Sequence, residues 1–144
     1  MCREGVWYRV MIYDLLIVDD QAGVRLFLSE AFSEGGYTVE TASNGAEAVV
    51  KASARPPSLI LLDFRMPGMS GLETLGELRK ILPDAPIIMI TAFSDHDIID
   101  EIKERGADYC INKPFDLNEI RALVKGLLVK EEKGRNCEKQ QVER

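Results

Sequence analysis

The chain has 144 residues, 46% of them apolar and 29% charged, with a net charge of −6. That length fits one domain burying roughly two-thirds of its unfolded surface, with no need of a disulfide or structural metal. The longest apolar runs are too short to span a bilayer, which excludes a membrane protein. An acidic balance with dispersed Lys and Arg argues against direct binding to DNA.

Cys2, Cys110 and Cys137 are odd in number and widely spaced, so neither a disulfide framework nor a zinc site is expected, and a reducing, cytoplasmic setting is the default. Arg3, Glu4 and Arg9 break up any signal-peptide core in residues 1–12, which read as an N-terminal extension surplus to the fold.

Taken in chain order, apolar strand-like runs alternate with helical periodicity. Leu15-Leu16-Ile17-Val18 ends at Asp19-Asp20. From Gln21 to Ser33, Val24, Leu28, Ala31 and Phe32 share one helical face, and Gly35-Gly36 stops the helix. Tyr37 to Thr41 alternates like a half-buried strand, then Asn44-Gly45 turns into a helix over Ala46 to Ala54, closed by Pro56-Pro57. Leu59 to Leu62 is apolar on both faces, as a central parallel strand should be, and meets Asp63. Pro67-Gly68-Met69-Ser70-Gly71 forms a tight loop before a helix carrying Leu72, Leu75, Leu78, Arg79 and Leu82, with Pro83 at its end.

Ile87 to Ile90 runs into Thr91, Asp97 to Arg105 is helical, Asp108 to Ile111 leads through Asn112 to Lys113, and Leu117 to Leu128 is the last helix. This fivefold alternation predicts an α/β fold: a five-stranded parallel sheet, doubly wound, with helices on both faces joined by right-handed crossovers. The domain is expected over residues 13–128. Residues 129–144, with five basic and four acidic side chains, read as a polar, disordered tail.

Parallel strands align their carboxyl ends on one edge, so Asp19, Asp20, Asp63, Thr91 and Lys113 are predicted to meet in one crevice. Two carboxylates about 4 Å apart repel by about 4 kcal/mol at an effective dielectric near 20, so a cation is required. Lys113 supplies one charge, and an all-oxygen donor set selects a hard ion such as Mg²⁺. Asp63 is the candidate nucleophile toward phosphorus, with Thr91 and Lys113 contacting the phosphoryl oxygens. No nucleotide-binding loop is visible, so the phosphoryl group is expected from another protein or a small phosphodonor.

On Asp19-Asp20, Asp63, Thr91-Ala92, Lys113-Pro114-Phe115 and the loop Met66-Pro67-Gly68-Met69-Ser70-Gly71, the chain resembles the receiver domains of two-component response regulators, over about Tyr13 to Leu128. The stretches Asp19 to Arg25 and Lys113 to Arg121 are similar to stand-alone phosphorelay receivers within that family. The resemblance implies a flavodoxin-like fold and a phosphoacceptor Asp63 served by a histidine kinase or histidine phosphotransfer protein. It also implies Mg²⁺ held by Asp20, Asp63 and the Arg65 carbonyl with Asp19 nearby, and a cis bond before Pro114. It implies a docking ring of Gln21, Gly23, Val24, Phe27, Phe93, Pro114 and Phe115, in a monomer or weak dimer.

The family's switch pairs Thr91 with an aromatic three residues before the lysine. Here that position is Cys110, expected as a small buried hydrophobe that cannot swing a ring. Arg65 and Phe93 are expected to flank the path of attacking water and to slow hydrolysis. His96, the single histidine, reads as a helix-start surface residue, and Met66 and Met69 as loop packing. Two rivals to the signalling role stand beside it: a Mg²⁺-dependent phosphatase with an aspartyl nucleophile, and an adaptor that works without phosphorylation. Such a phosphatase usually needs a general acid two residues after the nucleophile, where this chain has Arg65.

Overall fold

The structure, a computed structural model, describes residues 13–92 and 97–128. The expected extension and tail, Phe93 and His96 lie outside the described residues. Five strands alternate with helices: β1 (Tyr13–Val18), α1 (Ala22–Glu34), β2 (Val39–Ala42), α2 (Gly45–Ala54), β3 (Pro57–Asp63), α3 (Gly71–Ile81), β4 (Ile87–Ala92), α4 (Ile99–Glu104) and β5 (Tyr109–Lys113). The strands form one parallel sheet in the order β2-β1-β3-β4-β5. The chain separates into two units, residues 1–114 and 115–144. The second unit contains helix α5 over residues 117–128, in which Ile120 and Val124, one turn apart, are buried.

The apolar runs make strands because both sheet faces are covered, so every position must be apolar. Leu16, Val18, Ile60, Leu62, Ile87 and Met89 pack with Ala48 and Ala52 of α2, Leu75 and Leu78 of α3 and Ile102 of α4. Successive strand residues point to opposite faces, which turns Leu15, Ile17, Leu59 and Leu61, all fully buried, the other way. Helix α1, with Leu28, Ala31 and Phe32 buried, runs against β1 and β2. Val24, expected on that core face, is only half-buried.

Several boundaries differ from the sequence reading. β2 begins two residues later than expected, at Val39. β3 starts at Pro57, a position that tolerates a missing N–H because it is the first of the strand. α2 starts at Gly45, with the Asn44 side chain accepting from the Glu47 amide as its N-cap. α4 is shorter than Asp97 to Arg105, and residues 97–98 form a 3₁₀ turn instead. α3 opens with a capping box in which Ser70 and Glu73 satisfy each other's backbone amides.

At the edge where α3 ends, Arg79 ties the fold together. Its guanidinium, largely buried, donates to the carbonyls of Gly106 (2.8 Å), Leu82 (3.0 Å) and Ala85 (2.6 Å) and to Asp108 Oδ2 (2.7 Å). Asp108 Oδ2 also accepts from the Ile87 amide, which fixes the start of β4.

Candidate functional site

The chain leaves β1 toward β2 on one side and crosses to β3 on the other, so the sheet's switch point lies between β1 and β3, where doubly wound folds open a crevice at the strand ends. Asp19 and Asp20 follow β1, and Asp63 ends β3. Their carboxylate oxygens lie within 4.8 Å of one another, which brings the three predicted acids together. They are not equivalent. Asp19 and Asp63 are buried, while Asp20 is exposed, as alternation at a strand end requires.

Local structure fixes each acid. The Asp19 amide donates to the Ala42 carbonyl on β2, its Oδ1 accepts from the Gln21 amide at 2.8 Å, and its carbonyl accepts from Arg25 Nη1 at 2.7 Å. Behind Asp63, the Phe64 amide bonds the Ile90 carbonyl, and the Gly71 amide bonds the Phe64 carbonyl at 3.0 Å, closing the loop that follows the acid. A Cβ at Gly71 would meet Phe64 backbone atoms at 2.5 to 2.9 Å, so glycine is required for that closure. Gly68, with φ of +78°, turns the loop.

Lys113, the last residue of β5, reaches across the crevice. Its Nζ lies 3.1 Å from Asp63 Oδ1 and 3.5 Å from Asp19 Oδ2. Burial pushes the Asp63 carboxyl up, the Asp19 charge pushes it further, and Lys113 only partly opposes them, leaving its pKa at about 6. Burial pulls the Lys113 ammonium down, yet the charges of Asp63 and Asp19 win and hold it above its ordinary range. One ammonium is thus too little for three carboxylates. The remaining donor set is hard carboxylate oxygen without His or Cys, which fits Mg²⁺.

Thr91 occupies its predicted place at the end of β4 and is buried. Its hydroxyl, however, donates to Asn112 Oδ1 on β5 at 2.9 Å, with the Ile111 carbonyl at 3.5 Å as a weaker second acceptor. Cys110 is half-buried rather than fully buried, lies beside Met89 in the sheet register and packs against the core formed with α2, α3 and α4. Burial raises its thiol pKa. Met66 packs on the same core, as expected of a loop anchor. Arg65 is exposed on the loop after Asp63.

Of the expected docking residues, Gln21, Gly23, Phe27 and Pro114 are exposed and Val24 is half-buried. Pro114 follows a cis peptide bond, as the resemblance implied. Phe115 belongs to the second unit and is half-buried, and Phe93 lies outside the described residues. The sequence reading passed over Leu26, which is 60% exposed next to Phe27 at 52%. An apolar residue off the core face of an amphipathic helix was the available signal. It also passed over Arg25 and Asn112, whose partners are set by loop geometry and strand register.

A doubly wound parallel sheet with an acidic trio at its switch point and a lysine facing it defines a receiver domain. The chain belongs to the response regulator receiver domain family, which it matches over residues 15–125. It is 43% identical over 114 residues to sporulation initiation phosphotransferase F of Bacillus subtilis (strain 168), covering 79% of this chain and 92% of that one. It is 39% identical over 108 residues to the DNA-binding transcriptional regulator NtrC of Escherichia coli (strain K12), covering 75% of this chain and 23% of that longer protein. Among solved structures, the chemotaxis protein CheY4 of Vibrio cholerae superposes with a TM-score of 0.75 at 30% identity, covering 81% of this chain and 98% of that one. A receiver domain protein of Methanospirillum hungatei JF-1 reaches 0.80 at 28% identity, covering 85% and 98%. Among the described residues, no helix is long and apolar enough to cross a membrane.

Proposed function

We propose that the chain is a phosphorelay receiver that takes a phosphoryl group from a histidine onto Asp63 and passes it on or signals through altered protein binding. A carboxylate oxygen of Asp63 attacks the phosphorus of a phosphohistidine on a partner protein. The new O–P bond forms as the P–N bond breaks, and the imidazole nitrogen leaves with that electron pair and takes up a proton. Lys113, 3.1 Å from Asp63 Oδ1, orients the carboxylate and balances charge on the arriving phosphoryl oxygens. Asp19, Asp20, Asp63 and the Arg65 carbonyl would hold Mg²⁺, which when bound supplies the positive charge that three carboxylates and one lysine lack. Burial of Asp63 keeps bulk water from the acyl phosphate, and Arg65, exposed two residues further along the loop, slows hydrolysis further in this reading.

Gln21 and the exposed Gly23, Leu26 and Phe27 at the start of α1, which follow Asp19-Asp20 directly in the chain, support docking of the helical surface that carries the histidine. The similarity to sporulation initiation phosphotransferase F supports the relay role. The observation that carries the reading is the convergence of Asp19, Asp20, Asp63 and Lys113 from three strands into one crevice. Incubation with acetyl phosphate and Mg²⁺ tests it. Acid-labile phosphate should appear at one equivalent and vanish in Asp63→Asn; label that persists in that variant, or sustained turnover of small phosphoesters, refutes it.

A further inference from the structure

We propose that Asn112 is a positioning residue that holds the Thr91 hydroxyl in the resting arrangement and thereby sets how readily the site accepts a phosphoryl group. The inference rests on the reading of Asp63 as the phosphoacceptor and adds a residue to it.

A buried hydroxyl must find an acceptor, and it has one hydrogen to give. Thr91 is 1% exposed, and its hydroxyl sits 2.9 Å from Asn112 Oδ1, within ordinary O–H···O reach. The Ile111 carbonyl, at 3.5 Å, is at the outer limit of a bond. Asn112 therefore decides where the proton points.

Register gives that choice a direction. Thr91 lies beside Asn112 in the sheet, and Ala92 lies beside Lys113. Consecutive residues of β5 face opposite ways, so the hydroxyl is held by the neighbour that faces away from Lys113, the side chain that reaches Asp63. For Thr91 to donate to a phosphoryl oxygen on Asp63, its single hydrogen must leave Asn112. The two bonds exclude each other, so whatever stabilises one disfavours the other. Asn112 is partly exposed, and water can take the vacated position on Oδ1, so the exchange leaves no buried orphan. Cys110 lies beside Met89 rather than Thr91, which leaves Asn112 as the β5 side chain bonded to the hydroxyl.

The test measures the dissociation constant of beryllofluoride, a phosphoryl mimic, in the presence of Mg²⁺, on the full chain and on Asn112→Ala, Thr91→Val and the double variant. Asn112→Ala should bind about fivefold more tightly, the weight of one ordinary hydrogen bond removed from the resting state. In the Thr91→Val background the same substitution should change binding less than about twofold, because the coupling runs through the hydroxyl. In the unmodified chain, the Asn112 side-chain amide resonances should shift on saturation with beryllofluoride. Unchanged or weaker binding by Asn112→Ala, equal gains in both backgrounds, or amide resonances that stay in place would overturn the proposal. If the chain binds beryllofluoride and Asp63→Asn does not, those failures fall on Asn112 alone. If the two bind alike or neither binds, the phosphoacceptor reading fails and takes this inference with it.

Discussion

Replacing Asp63 with Asn should stabilise the metal-free protein, and by an amount that depends on pH in a defined way. The native carboxyl has a pKa of about 6 against 3.8 for an ordinary aspartate. Between those two values the native state binds more protons than the unfolded state, so stability falls as pH rises through this window and levels off above it. A shift of about two units is worth about 3 kcal/mol at 1.36 kcal/mol per unit. Asn cannot ionise and never incurs that cost. In EDTA, the stability of Asp63→Asn relative to the unmodified protein should therefore grow by about 2.4 kcal/mol between pH 4, where part of the cost is already present, and pH 7.5, about 10 °C in Tm for a domain of this size. Paired urea titrations at the two pH values measure the difference directly, and to first order the titration of other groups cancels because the proteins differ at one position. A gap that stays constant with pH, or that closes as pH rises, would show that Asp63 ionises without penalty and that the crevice is not starved of positive charge.

Mg²⁺ should reverse this penalty in the unmodified protein, raising stability by about 2.7 kcal/mol at a hundredfold excess over its Kd; the same rise in Asp63→Asn would remove Asp63 from the ligand set. Lys113→Met should move the Asp63 midpoint above about 6, since Lys113 is the group that opposes burial there, and a carbon-13 carboxyl titration reads the shift. Arg79→Met should cost about 3 kcal/mol in urea unfolding, because four acceptors lose a charged donor at once, and Arg79→Lys should recover less than half of that for want of a planar fork. Phe27→Ala, at a half-exposed position, should leave acetyl phosphate labelling intact while slowing transfer from a histidine phosphotransfer protein, with the rate read in a rapid-quench assay.

How much of this was legible in the sequence follows from what each feature depends on. The sheet could be read because strands covered on both faces are continuously apolar, and Leu59 to Leu62 admits little else. The acids and Lys113 could be placed because parallel topology converts strand ends into neighbours. Element ends were less legible. Pro57 looks like a breaker until its place as a first strand residue is known, and Ile98, the N-cap of α4, has no side-chain oxygen to cap the helix. The capping box at Ser70 and Glu73 was written in the sequence as Ser-x-x-Glu and went unread. Arg79 offered only a place in a helical stripe, since most of its partners are backbone carbonyls on two other segments. Asn112 could be assigned only once β4 and β5 were in register, because a shift of one residue would place Thr91 beside another side chain.

The charge arrangement bears directly on the chemistry. In the proposed reading Asp63 attacks phosphorus in its ionised form, which burial and the Asp19 carboxylate disfavour. Lys113 is positioned to hold one Asp63 oxygen but is shared with Asp19, so it cannot satisfy both acids. Asp20, exposed at the mouth, adds negative charge where solvent screens it and where a hydrated cation can arrive without being stripped of all its waters. The crevice is thus built short of one cation, with Asp63 poised near neutrality, and under the proposed function acceptance of a phosphoryl group would be coupled to the ion that completes it. Under the same proposal Thr91 adds a second dependence of another kind, since its hydroxyl donates to Asn112 and phosphoryl oxygens would have to compete for its hydrogen.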